Sequence, residues 1–220
     1  MKNYSWKIAG VLLVTYSIIQ GFLGDVPKLP ILHESIRNVY FHVPMWFAMI
    51  ILFVINAVYS IKYLRNATEH NDAWAESSAN VGVLLGILGI ITGMIWANFT
   101  WGEPWSNDPK QNSAAIALLV YFAYFVLRGS IDDEQKKAKI SAVYSVFAFP
   151  VMIVLVFILP RMTDSLHPGN GGNPGFNTYD MDNNMRKVFY PAVLGWIFMG
   201  IWIAQIKFRF KKLSDKSLEN

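Results

Sequence analysis

The stretches 77–102, 140–160 and 188–206 of this chain carry no charged residue at all. Each is mostly apolar and close to or above the roughly 20 residues that an α-helix needs to cross about 30 Å of hydrocarbon. In lipid, backbone N–H and C=O groups must satisfy one another, so each run is best built as a helix. Charged residues make up only 15% of the chain and hydrophobic ones 54%. A soluble domain carries roughly 25% charge, so there is too little polar surface here for a water-facing globule.

The expected fold class is therefore all-α: a polytopic membrane protein of six transmembrane helices. Residues 1–220 form a single integral-membrane domain. The spans run roughly Trp6–Leu23, Val39–Leu64, Val81–Phe99, Ser113–Leu127, Ile140–Leu159 and Val188–Ile206. The fourth is the shortest, closely flanked by Lys110 and Arg128. No Ala-x-Ala-like site follows the first apolar stretch, and five more spans come after it, so it reads as a span and not as a signal peptide. Pro150 is expected to kink the fifth span. Pro44 and Pro191 are expected near helix starts, where a missing N–H costs little.

Orientation follows from Lys and Arg. Thirteen of them lie at the N-terminus, in the second and fourth loops and in the C-terminal tail, against six in the first, third and fifth loops. The positive-inside rule then predicts both termini in the cytoplasm (N-in, C-in) and the odd-numbered loops outside. The net charge of +4 is accounted for by this asymmetry and does not call for nucleic acid as a partner. Lipid is the partner that the composition itself implies.

With that orientation, three separated stretches come to one face. His42 lies at the outer start of the second span, in Tyr40-Phe-His-Val-Pro-Met-Trp46. The run Trp101-Gly-Glu-Pro-Trp-Ser-Asn-Asp-Pro-Lys110 forms the second outer loop. His167 lies in the third, just before the Gly/Asn-rich stretch 170–175. His33 is outward too, and His70 is the only histidine on the cytoplasmic side.

Two imidazole nitrogens on opposite faces of a porphyrin make a six-coordinate iron. Tryptophan faces stack on a flat π-system. Trp101 and Trp105 are four apart, so a helical turn would put them on one side. Asp108 is suited to orient a neighbour or to cap the next helix, and Lys110 to pair with a propionate. Arg37 and Arg161 are outward cations suited to clamp propionates. These residues suggest haem at the membrane edge. Taken singly, each has a plainer reading: His42 as an interfacial ring, His167 as a solvated loop residue, the tryptophans as an aromatic belt. Trp6, Trp96, Trp196 and Trp202 are explained by such a belt, and Asn56 by contact between helices.

The chain has no cysteine. It therefore offers no thiolate ligand, no thiol nucleophile and no Cys-x-x-Cys-His haem attachment. Nothing resembles a phosphate loop or a catalytic triad, and no carboxylate lies within the predicted spans, which disfavours proton-coupled transport.

The order of these motifs resembles the haem-handling cytochrome c biogenesis family (CcmC/CcsA-like): His-Val-Pro at the second span, Trp-Gly-x-x-Trp-x-x-Asp after the third, Leu-His before the sixth. The resemblance covers essentially the whole chain, and the six-span size is similar to the CcmC branch, the haem-delivery component of the cytochrome c maturation system. It implies His42 and His167 as axial ligands, and Trp101, Gly102, Trp105 and Asp108 as a haem platform with Lys110 beside it. It also implies non-covalently bound haem b at the periplasmic face of a bacterial inner membrane. The implied partners are haem, a membrane-tethered periplasmic haem chaperone and the subunits of an ATP-binding cassette transporter. The implied role is non-enzymatic.

The chain departs from the family signature at Asn107 and Pro104, where tryptophan is usual. The Asp-Pro-Lys ending is more similar to relatives that act as cytochrome c synthases. The alternatives are thus the membrane subunit of such a synthase, or a haem-free small-solute transporter or anchor subunit. A cytochrome b would need histidine pairs within the spans, and here the histidines sit at edges and in loops.

Overall fold

The structure, a computed structural model, describes residues 4–167 and 181–218, with side chains through 214. Among these residues it is entirely helical: α1 Ser5–Leu23, α2 Val39–Arg65, α3 Glu69–Trp101, α4 Pro109–Gly129, α5 Glu134–Ile153 and α6 Asn183–Leu218. All six belong to segments long and apolar enough to cross a membrane, which makes this a multi-pass membrane protein. The stretch 170–175 lies outside the described residues.

Several helices outrun their apolar stretches. Thr68 caps α3 by accepting from the Asn71 N–H, so α3 begins twelve residues before the expected Val81. Asp108 and Asp133 cap α4 and α5 in the same way, and Pro109 takes the first helical position of α4, where no N–H is needed. A 3₁₀ segment, His33–Asn38, leads directly into α2. Pro44 and Pro191 lie inside α2 and α6 and not at their first turns: Pro44 is five residues past the start of α2 at Val39, and α6 begins at Asn183, ahead of the expected Val188. Beyond Pro150 the chain changes register, passing into a π segment, Val154–Ile158, and then a 3₁₀ turn, Leu159–Arg161.

α2 and α3 are the most extensively packed pair; α6 and α5 lie on α2, α1 lies on α6, and α4 pairs with α5. The core is built from Met49, Leu52 and Phe53 of α2, Val81 and Leu85 of α3, Leu118 and Tyr121 of α4, and Met152 of α5. Phe53 and Tyr121 stack with their rings 3.5 Å apart and nearly parallel. The close approach of α2 to α3 depends on missing side chains. A Cβ on Gly82 would lie 2.6 Å from the Phe53 ring, one on Gly89 2.8 Å from Trp46, and one on Gly93 2.8 Å from His42. Asn56 of α2 donates to the Ala75 carbonyl of α3 at 2.9 Å, the interhelical bond expected of a polar residue in a span.

The two ends of the bundle differ. At one, buried Arg128 of α4 makes a forked pair with Asp72 of α3 at 2.8 and 2.5 Å and reaches Glu76 at 3.2 Å. Lys211 of α6 joins the same two carboxylates. At the other end meet the start of α2, the end of α3, the start of α4 and the segment that follows α5.

Candidate functional site

That second end holds an apolar-walled cavity of about 160 Å³. Among its lining residues are His42, Trp46, Met94, Trp105, Lys110 and His167. Residues 125 positions apart in sequence thus share one small space.

Asp108 organises one side of it. Its side chain caps α4 by accepting the Lys110 N–H at 2.8 Å. The same carboxylate receives Ser165 Oγ at 2.8 Å, the Leu166 N–H at 2.7 Å and His167 Nδ1 at 2.8 Å. One buried side chain therefore ties the start of α4 to the 165–167 segment. Burial alone would raise the Asp108 carboxyl; the hydrogen bond and charge of His167, with the Leu166 and Ser165 donors, outweigh it and hold the group well below the ordinary carboxylate range. A carboxylate only accepts, so His167 Nδ1 carries the proton, and in the neutral ring Nε2 keeps its lone pair. Trp101 packs edge-on against His167, with ring centres 4.8 Å apart.

His42 is held in the same sense. Its Nδ1 lies 3.0 Å from the Gly89 carbonyl and 3.1 Å from Thr92 Oγ1. Gly89 O can only accept, so Nδ1 again carries the proton. Nε2 accepts the Trp46 indole N–H at 3.3 Å. Trp46 and Trp96 present ring edges to the imidazole from two sides, at 6.1 and 6.0 Å. Both imidazoles are therefore fixed through Nδ1, the arrangement in which Nε2 serves a metal.

The loop between α3 and α4 is not helical. Gly102, in the left-handed region at φ +85°, ends α3. Trp101 and Trp105 consequently do not share a helical face. Trp105 lines the cavity and donates to Asn112 at 3.2 Å, whereas Trp101 buttresses His167 without lining the cavity. Gln111 knits the loop by accepting the Ser106 N–H at 3.0 Å and donating to the Pro104 carbonyl at 3.3 Å. Asn107 adopts φ +55°, a conformation that asparagine tolerates better than bulky residues.

The remaining candidates lie elsewhere. Arg37 donates to the Gly21 and Gly24 carbonyls at the end of α1 and pairs with Glu34. Arg161 reaches back to the Phe157 carbonyl. Neither lines the cavity, and neither does exposed His33. Trp46, Gly89, Gly93, Met94 and Gln111 do line it, and sequence reasoning assigned them no role. The His42-x-x-x-Trp46 spacing, one helical turn, is a signal that could have found one of them.

The donor set fits a haem: two imidazoles fixed through Nδ1, apolar walls, the Trp46 and Trp105 rings and a lysine. The volume fits less than a whole macrocycle, since pockets that enclose a drug-sized ligand span roughly 300–1,000 Å³. A haem here would keep part of its edge outside or require a lining side chain to move.

Comparison with known proteins points the same way. The chain is similar to Heme exporter protein C of Rhodobacter capsulatus, 24% identical over 97% of this chain and 89% of that protein. Heme exporter protein C of Paracoccus denitrificans is also 24% identical, over 74% and 68%. Cytochrome c biogenesis protein CcsA of Prochlorococcus marinus is 35% identical over 48% of this chain but only 33% of its own length, so the chain spans about a third of that relative. The family described as Cytochrome C assembly protein matches residues 30–167. That match runs from just before the 3₁₀ segment to His167 and takes in both histidines and the whole tryptophan loop; this chain belongs to the cytochrome c assembly protein family.

Proposed function

We propose that this chain holds haem b non-covalently at the cavity between α2, α3 and α4 and hands it on during cytochrome c maturation. The observation that carries the reading is the shared fixing of His42 and His167: each gives its Nδ1 proton to an acceptor, and both line one cavity. Their Nε2 atoms are the axial ligands. Trp105 supplies an aromatic wall and Lys110 the cation for a propionate. Trp101, Gly102 and Asp108 act through the loop and through His167. With no cysteine in the chain, no thioether to haem forms on it.

The Lys and Arg asymmetry supports a site facing the periplasm from a bacterial inner membrane. A partly open cavity suits a protein that must surrender its cargo. The recipient is a membrane-tethered haem chaperone, working beside the subunits of an ATP-binding cassette transporter. The chain itself breaks no bond in this reading. The test is haem content by pyridine haemochrome, with transfer to the chaperone, for wild type and His167→Ala. Loss of most co-purified haem in the variant supports the ligand assignment; unchanged content contradicts it.

A second reading, the membrane subunit of a cytochrome c synthase, is favoured by the Asp108-Pro109-Lys110 ending and the regional similarity to a CcsA protein. Thioether formation on an apocytochrome by the purified chain would establish it in place of the first.

A further inference from the structure

We propose that Trp46 is the release element of this site, competing with the haem iron for the His42 Nε2 lone pair. The inference rests on the haem reading above and adds to it how the cargo is given up.

Three observations converge on this residue. The Trp46 indole N–H points at His42 Nε2 from 3.3 Å, one helical turn away on α2. An unprotonated imidazole nitrogen has a single in-plane lone pair, so an N–H donor and an iron cannot use it together. Trp46 also lines the cavity that is too small for a whole porphyrin. Moving the indole therefore frees the ligand atom and enlarges the space in one step. Finally, the indole is seated in a prepared place: it rests against Gly89, where a Cβ would come within 2.8 Å of Trp46 Cε2. The resting position is thus built into α3, and the indole returns to it as iron leaves. Among the described residues, the contacts at His167 are of another kind: Trp101 meets it edge-on, as one aromatic ring on another, while Asp108 binds the other nitrogen.

The experiment compares wild type with Trp46→Phe, which keeps an aromatic ring, removes the donor and takes up less of the cavity. Both are loaded with haem in detergent, and the rate of haem loss to excess apomyoglobin is measured alongside the absorption spectrum. A net hydrogen bond of ordinary strength corresponds to roughly 3- to 10-fold in an equilibrium constant. The expected result is haem loss slower by about that factor with the same six-coordinate spectrum. Equal or faster loss overturns the proposal, and would make Trp46 a wall of the site and nothing more. Should Trp46→Phe fail to fold, the haem-loaded structure of the wild type decides: the indole nitrogen must have left His42 Nε2, and a retained contact within 3.5 Å overturns the proposal. Failure of the underlying haem reading looks different, because His42→Ala and His167→Ala would then retain haem as wild type does.

Discussion

Asp108 shows how one side chain can take several parts at once. It caps a helix, fixes the 165–167 segment and sets the tautomer of His167. Asp108→Asn places an amide NH₂ among donors. Partners of this kind typically change metal affinity 10- to 100-fold, and haem affinity measured by titration is expected to fall in that range while α-helical content is kept. The pH dependence has a definite sign. The folded carboxyl titrates below its unfolded value, so its contribution is fully present above the unfolded value near 4 and is lost as pH falls through the lower, folded one. The stability gap between wild type and Asp108→Asn, read as Tm in detergent, should narrow as the pH falls below that unfolded value. The sequence showed that Asp108 was placed to cap or to orient. That it does both was not legible, because Ser165 and Leu166 reach it from 57 and 58 residues away.

At the scale of the helix, absent side chains do as much as present ones. Gly93 lets the His42 ring lie directly on α3. Gly93→Ala should displace the imidazole from Gly89 O and Thr92, lowering haem occupancy several-fold, at a cost of the order of 1–3 kcal/mol in stability, typical of overpacking. Haem content and Tm of the variant check both. The six helices were legible because a charge-free run in lipid leaves the backbone little choice. Their ends were less so. Asp72 and Glu76 lie within α3 because Arg128 and Lys211, from two other helices, satisfy them, and no local pattern announces such partners. The shared helical face expected of Trp101 and Trp105 fails for a local reason, the left-handed Gly102 between them. The role of Trp101 as a support for His167 follows from that break.

Over the whole molecule, the histidine site and the Arg128 ion cluster occupy opposite ends of α3 and α4. In the orientation proposed from the Lys and Arg distribution, the first faces outside and the second inside. Glu103 and Asp132 are exposed, at the two ends respectively. The cysteine-free chain allows single-cysteine labelling: Glu103→Cys should react with an impermeant maleimide added outside intact cells, and Asp132→Cys only after lysis. The reverse pattern would invert the topology and place the site on the wrong face for periplasmic delivery.

In the proposed site, two histidines far apart in sequence serve one iron. The most direct measurement is low-temperature electron paramagnetic resonance of the haem-loaded ferric protein, for wild type, His42→Ala and His167→Ala, with optical spectra in parallel. Wild type is expected to give a low-spin, bis-imidazole signal that both variants lose, each passing to a high-spin signal or to no bound haem. A low-spin signal that survives either substitution unchanged would contradict it.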